Sequence, residues 1–177
     1  MDSAQLTAML AAGVAIVAAV TDVKERRIPN RLTYPAMLLG LGLQGVAHGW
    51  RGLLLGVGGC LVFGGVFMLF HLVRGMGAGD VKLAAALGCI LGPAASWQVM
   101  FATAVAGGLL AIAFMVVSGR VAETLRNTLW VVAHHAQHGF ETHPVVNLDN
   151  PGAVRMPYGL AFAAGTLFWV VSSQFWR

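Results

Sequence analysis

Six apolar segments decide what this chain can fold into: residues 4–20, 33–47, 52–73, 81–92, 97–118 and 157–176. A helix needs about 20 apolar residues to cross a hydrocarbon core of ~30 Å. The third, fifth and sixth segments reach that length, and the other three fall short. Hydrophobic residues make up 58% of the sequence and charged ones 10%, and the mean hydropathy is +0.75. A soluble domain is about a quarter charged, so water is not the solvent for most of this surface. The 23 glycines fit the same reading, because small residues let helices approach closely in lipid. The expected fold is an all-α integral membrane protein. It would be a single polytopic domain over 1–177, a bundle of six transmembrane helices.

The charges give that bundle a direction. The connections are 22–32, 48–51, 74–82, 93–96 and 119–156. Lys24, Arg26, Arg27, Arg31, Arg74, Lys82, Arg120, Arg126 and Arg155 fall in the first, third and fifth, leaving Arg51 and Arg177 on the opposite side. Excess Lys and Arg marks the cytoplasmic side. Both termini should therefore lie outside, with Asp22 and Asp80 facing the cytoplasm. The net charge of +4 is scattered at segment ends rather than massed, so nucleic acid is not an expected partner. Met1-Asp2-Ser3 carries no positive charge, and the positives follow the first apolar run, the reverse of a secretory signal. Cys60 and Cys89 both lie inside apolar runs, which excludes a disulfide framework or zinc ribbon and reads as core thiols.

Three local features stand out. The fourth segment covers only 12 residues (81–92), about 18 Å of helix, and Pro93 marks a break after it. Either that helix runs on past a kink, or it starts in a recess below the surface, or the bilayer thins around it. Ile28-Pro29-Asn30 closes the first connection, with Asn30 suited to cap the second span. In the long connection 119–156, Val121, Leu125, Leu129, Val132 and Ala136 recur at helical spacing opposite Glu123, Asn127 and His134. That predicts a cytoplasmic amphipathic helix on the membrane face, with Trp130 as an interfacial anchor. Residues 141–155 read as loop.

The chemistry centres on two of only seven acidic residues. Asp22 ends the first apolar stretch, and Asp80 closes Gly77-Ala78-Gly79-Asp80 before the fourth. A carboxylate at the mouth of a membrane span is costly enough to need a reason. Hydrolysing a peptide bond with carboxylates takes two: one activates water and the other donates a proton. Two close carboxylates resist double ionisation and share one proton. Gly77 and Gly79 would leave room for a substrate backbone beside Asp80. Each aspartate also has a structural alternative. Asp80 suits a helix N-cap, and Asp22 with Glu25 suits the start of a short cytoplasmic helix. The paired reading gains weight because Asp22 follows the C-terminal end of a helix, where the macrodipole disfavours an anion. Lys24 and Lys82, two residues after each aspartate, read as interfacial lysines.

Taken together, Asp22-Val23-Lys24-Glu25-Arg26-Arg27-Ile28-Pro29-Asn30 and Gly77-Ala78-Gly79-Asp80-Val81-Lys82 resemble the prepilin peptidases, aspartyl proteases of the GxGD type. Met156-Pro157-Tyr158-Gly159 is similar to that family's Pro-aromatic-Gly segment. The resemblance implies a six-span protease of the bacterial inner membrane, working without a cofactor or metal. Its substrate would be a type IV pilin-like precursor, cut on the cytoplasmic side. Asp22 and Asp80 would be the catalytic pair, with Gly77 and Gly79 at the substrate. Larger members carry an amino-terminal domain with two Cys-x-x-Cys pairs that accompanies N-methylation. No such segment is present here, so methyltransferase activity is not expected. The short form is similar to the peptidases of tight-adherence (Flp) pili.

Two other readings compete. A metal-dependent protease would use His134 and His138, four apart on the amphipathic segment, completed by Glu141, His143 or Asp149. His135 stands where such a helix would carry its glutamate. A transporter or assembly scaffold would explain the composition equally well, but not the Gly-x-Gly before Asp80. It would also lack an intramembrane charge in the third, fifth or sixth segment.

Overall fold

The computed structural model describes residues 3–139 and 156–175, and every regular element among them is helical. The five helices are α1 (Ser3–Glu25), α2 (Asn30–Leu72), α3 (Ala78–Val117), α4 (Val121–His138) and α5 (Gly159–Phe175). Of these, α1, α2 and α3 are long and apolar enough to cross a membrane, and α5 contributes a shorter apolar stretch. These features fit a membrane protein.

Two of the long helices are hairpins. In α2 the backbone leaves helical torsions at Gly49 (φ 60°, ψ −143°), and in α3 at Gly92 (φ 72°, ψ 174°). Positive φ is open to glycine and strained for side-chain-bearing residues. Residues eight apart along one helix would be about 12 Å distant. Yet a Cβ on Gly45 would stand 3.0 Å from the Leu53 side chain, and one on Gly52 would strike the Gln44 carbonyl. The chain therefore folds back at Gly49. Around Gly92, α5 provides the ruler. Its Trp169 indole donates to Gln98 Oε1 at 2.7 Å, and the Tyr158 hydroxyl lies 2.7 Å from where a Cβ of Gly107 would be. Residue 107 thus returns to the end of the bundle where α5 begins. Gly159 packs there on Ala18, Ala19 and Asp22. Pro93 follows the break as the first residue of the returning limb, where its missing N–H costs nothing. The break itself falls on Gly92.

The first limb of α3 (78–91) is the centre of the molecule. Leu83, Ala84, Ala86, Leu87 and Ile90 have no exposed surface. Glycines on α2 bring its two limbs against it. A Cβ on Gly40 would meet Ile90 at 2.7 Å, and one on Gly64 would meet Ala85 at 2.9 Å. At the crossing of Gly59 with Gly88, a Cβ on either would run into the other's carbonyl oxygen. This limb is about 21 Å long, short for a bilayer, but it is enclosed by protein and its length is not matched against lipid. Of the alternatives the sequence leaves open for this segment, the structure shows the break, at Gly92, with the chain continuing in helix beyond it. A stripe of buried alanines on α1 (Ala8, Ala11, Ala15, Ala18, Ala19) and an aromatic cluster of Phe63, Phe67 and Phe162 complete the core.

Candidate active site

Asp22 does not lie in the connection after the first apolar segment. Helix α1 continues to Glu25, and Arg26 then takes φ 52°, with its N–H bonded to the Asp22 carbonyl at 2.9 Å. Asp22 is thus one turn inside the end of α1, and it is buried. No new helix begins at Asp22, which removes its capping alternative with Glu25. The unfavourable end of the α1 dipole is met from another direction. The Gly159 N–H, at the first turn of α5, donates to Asp22 Oδ2 at 2.8 Å. A helix N-terminus presents unpaired N–H groups and partial positive charge, a favourable seat for a carboxylate. Only a glycine fits this approach. A Cβ at 159 would stand 2.9 Å from Asp22 Cβ and 3.1 Å from the Ala18 carbonyl oxygen.

Asp80 stands on the first turn of α3. The N-cap is Gly77, not Asp80. The Asp80 carboxylate reaches back from the third helical position to accept the Gly77 N–H at 3.3 Å, half of a capping box. A side chain at 77 would crowd this oxygen, since its Cβ would lie 3.2 Å from Oδ2. Gly79 has a packing use as well, because a Cβ there would sit 3.3 Å from Ile28 Cβ. Ile28 is buried, so the Ile28-Pro29-Asn30 connection rests directly on the glycine-rich turn. Asn30 does not cap α2. The N-cap is Pro29, and Asn30 Oδ1 instead accepts from Lys82 Nζ at 2.9 Å. The Lys82 ammonium also lies 5.6 Å from the centre of the Tyr34 ring. Lys82 therefore ties the two motifs together rather than reaching for lipid headgroups.

Asp22 and Asp80, 58 residues apart in sequence, lie within electrostatic reach of each other, with Tyr158 within reach of Asp80. The Tyr158 ring packs on Phe67 and Phe162. Each carboxylate has one oxygen held by a backbone N–H of a glycine. Among the described residues, no hydrogen bond goes to the other oxygen of either. Two carboxylates so held keep one oxygen each of the kind that acid–base work on water and a carbonyl needs. Gly159 was the partner that sequence reasoning missed. In the sequence, Met156-Pro157-Tyr158-Gly159 is similar to a Pro-aromatic-Gly segment, and nothing local to it points to Asp22.

His134 and His138 stack with ring centres 4.5 Å apart, and His138 Nδ1 lies 3.1 Å from the His134 carbonyl oxygen. Among the described residues, no group of three or more metal-ligating side chains forms. Glu141, His143 and Asp149 lie outside the described residues, as does the side chain of His135.

A family model described as the type IV leader peptidase family matches residues 9–112, a range that takes in both aspartates, Gly77 and Gly79. The chain belongs to the type IV leader peptidase family. Two curated relatives, the prepilin leader peptidase/N-methyltransferases of Burkholderia pseudomallei strains 1026b and K96243, are each 37% identical to it over 97 residues. The match covers 51% of this chain and 31% of each relative's own length. No solved structure matches. Helix α5, with the Gly159 that holds Asp22, lies beyond the range the family model matches.

Proposed function

We propose that this protein is an intramembrane aspartic endopeptidase that removes the leader peptide from type IV pilin-like precursors, of the Flp class. Asp22 and Asp80 form the catalytic pair, sharing one proton. The ionised member takes a proton from water, and the protonated member donates to the carbonyl oxygen or the leaving nitrogen. Gly77 keeps the approach to Asp80 clear for the substrate backbone, and Gly79 lets the turn sit low enough on Ile28 for that approach. The observation that carries this reading is the convergence of two distant carboxylates, each gripped by a glycine N–H.

On this proposal, α1, both limbs of α2, both limbs of α3, and α5 cross the bacterial inner membrane. Both termini lie outside and the carboxylate end faces the cytoplasm, following the distribution of Lys and Arg. The short limb 78–91 sets Asp80 below the bilayer surface inside a protein shell. The mechanism draws on no metal or cofactor, and no methyl transfer is proposed.

The test is co-expression in membranes with a pilin-like precursor from the same genome, reading leader removal by mass. Wild-type protein removes the leader, and a chelator leaves the rate unchanged. Chelator-sensitive processing would move the chemistry to His134 and His138 and overturn the reading.

A further inference from the structure

Helix α4 carries an apolar side that no other described residue covers. At 100° per residue, Val121, Leu125, Leu129, Val132 and Ala136 fall within an arc of about 80°. Glu123, Asn127, His134 and His138 occupy the opposite side. Arg126 stands about 100° from the middle of that arc and Trp130 about 140°, the guanidinium lying 5.2 Å from the indole centre. The apolar side is open: Leu129 is 68% exposed, Val132 62% and Leu125 52%. Among the described helices, α4 touches only α3.

The exposed strip continues from the body of the protein. The returning limb of α3 ends in Val116 and Val117, both exposed. Gly119 (φ 67°) then turns the chain, and α4 starts at Val121. Whatever solvates the outside of α3 at its last turn is therefore adjacent to the apolar side of α4. For a helix of this hydropathy that solvent is lipid. A second copy is a poor alternative occupant. Four aliphatic side chains and an alanine fall well below the roughly 20–30 residues per side of a stable protein interface. Arg126, beside the apolar arc, keeps its charge in water while its stem covers apolar surface.

We propose that α4 is a lipid-binding helix lying in the headgroup–acyl boundary. Leu125, Leu129 and Val132 are immersed, and the exposed Glu123 faces water. It anchors the start of the long connection at the end of the bundle that holds Asp22 and Asp80. That connection finishes at Tyr158 and Gly159, the turn that seats Asp22. The lipid contact does not depend on the protein being a peptidase, so it is tested without a substrate.

The experiment places the full chain, one copy per lipid nanodisc, with Leu129→Cys or Glu123→Cys carrying an environment-sensitive fluorophore. Wild-type protein, whose Cys60 and Cys89 lie within α2 and α3, serves as the labelling blank. At position 129 the probe emits to the blue and is quenched by lipids spin-labelled near the headgroup. A membrane-impermeant maleimide reacts there about tenfold or more slowly than at 123, as for a helix whose apolar face is buried at the interface. A Val132→Cys variant that also carries Leu125→Glu and Leu129→Glu reacts as fast as position 123 while keeping the wild-type elution profile. Equal reaction at 123 and 129 would overturn the proposal by placing α4 in water. Protection at 129 without lipid quenching would overturn it by placing α4 against protein.

Discussion

The two ends of the helical bundle handle polar atoms in opposite ways. At the far end, α2 and α3 each reverse on a glycine with positive φ, which strips carbonyls of their helical partners. Side chains repair the damage: Gln44 donates to the Ile90 carbonyl at 2.9 Å, and Ser96 to the Gly92 carbonyl at 2.6 Å. At the other end, backbone N–H groups of Gly77 and Gly159 each hold one oxygen of a carboxylate. There the direction of service is reversed, with backbone supporting side chains. Polar groups at the far end complete the fold. Those at the carboxylate end meet a helix start with one oxygen each, and on the proposed function the second oxygens do the chemistry.

Substitutions separate these two uses. The largest effect belongs to Asp22→Asn or Asp80→Asn. Each should lower precursor processing by about 10²–10⁴-fold, the contribution of a positioned acid or base, while the amount of folded protein in membranes is unchanged. Gly159→Val pushes a side chain into Asp22 and Ala18. It should cost about 1–3 kcal/mol of local overpacking, read as a loss of processing that exceeds any loss of protein. Gly59→Val applies the same steric insult at the crossing with Gly88. It should instead reduce the yield of folded protein, with specific activity per folded molecule retained. Gln44→Leu leaves the Ile90 carbonyl unpaired and should cost about 1–3 kcal/mol of stability. A lower thermal midpoint in detergent with normal kcat/KM would report it. The smallest change is Lys82→Met. Its bond to Asn30 is exposed and worth about 0.5–1.5 kcal/mol, so the midpoint should fall slightly and processing should stay near wild type.

Much of this architecture was legible in the sequence for physical reasons. Apolar segment lengths and the placement of Lys and Arg carry the helical bundle and put Asp22 and Asp80 at one end. The amphipathic spacing around Leu125 and Leu129 gives α4. Other features depended on contacts between distant positions. The bond from Gly159 to Asp22 joins residues 137 apart, and nothing local to either residue announces it. Pro93 drew attention as the helix breaker, yet the torsion that reverses the chain belongs to its glycine neighbour, because proline itself fits the first turn of the returning limb. Asn30 had the side chain of an N-cap but sat one residue too late, and Lys82 found it first. The short fourth segment was ambiguous because sequence length says nothing about whether lipid or protein surrounds a helix.

The central claim is that Asp22 and Asp80 act as one unit, and a double-mutant cycle tests it most directly. Processing of one pilin-like precursor would be followed with wild type, Asp22→Asn, Asp80→Asn and the double variant, at equal amounts of folded protein in membranes. Residues that share one proton and one reaction are strongly non-additive. The double variant is therefore predicted to be no slower than either single variant. A double variant slowed by the product of the two single effects would show that the aspartates act independently, and would contradict the paired site.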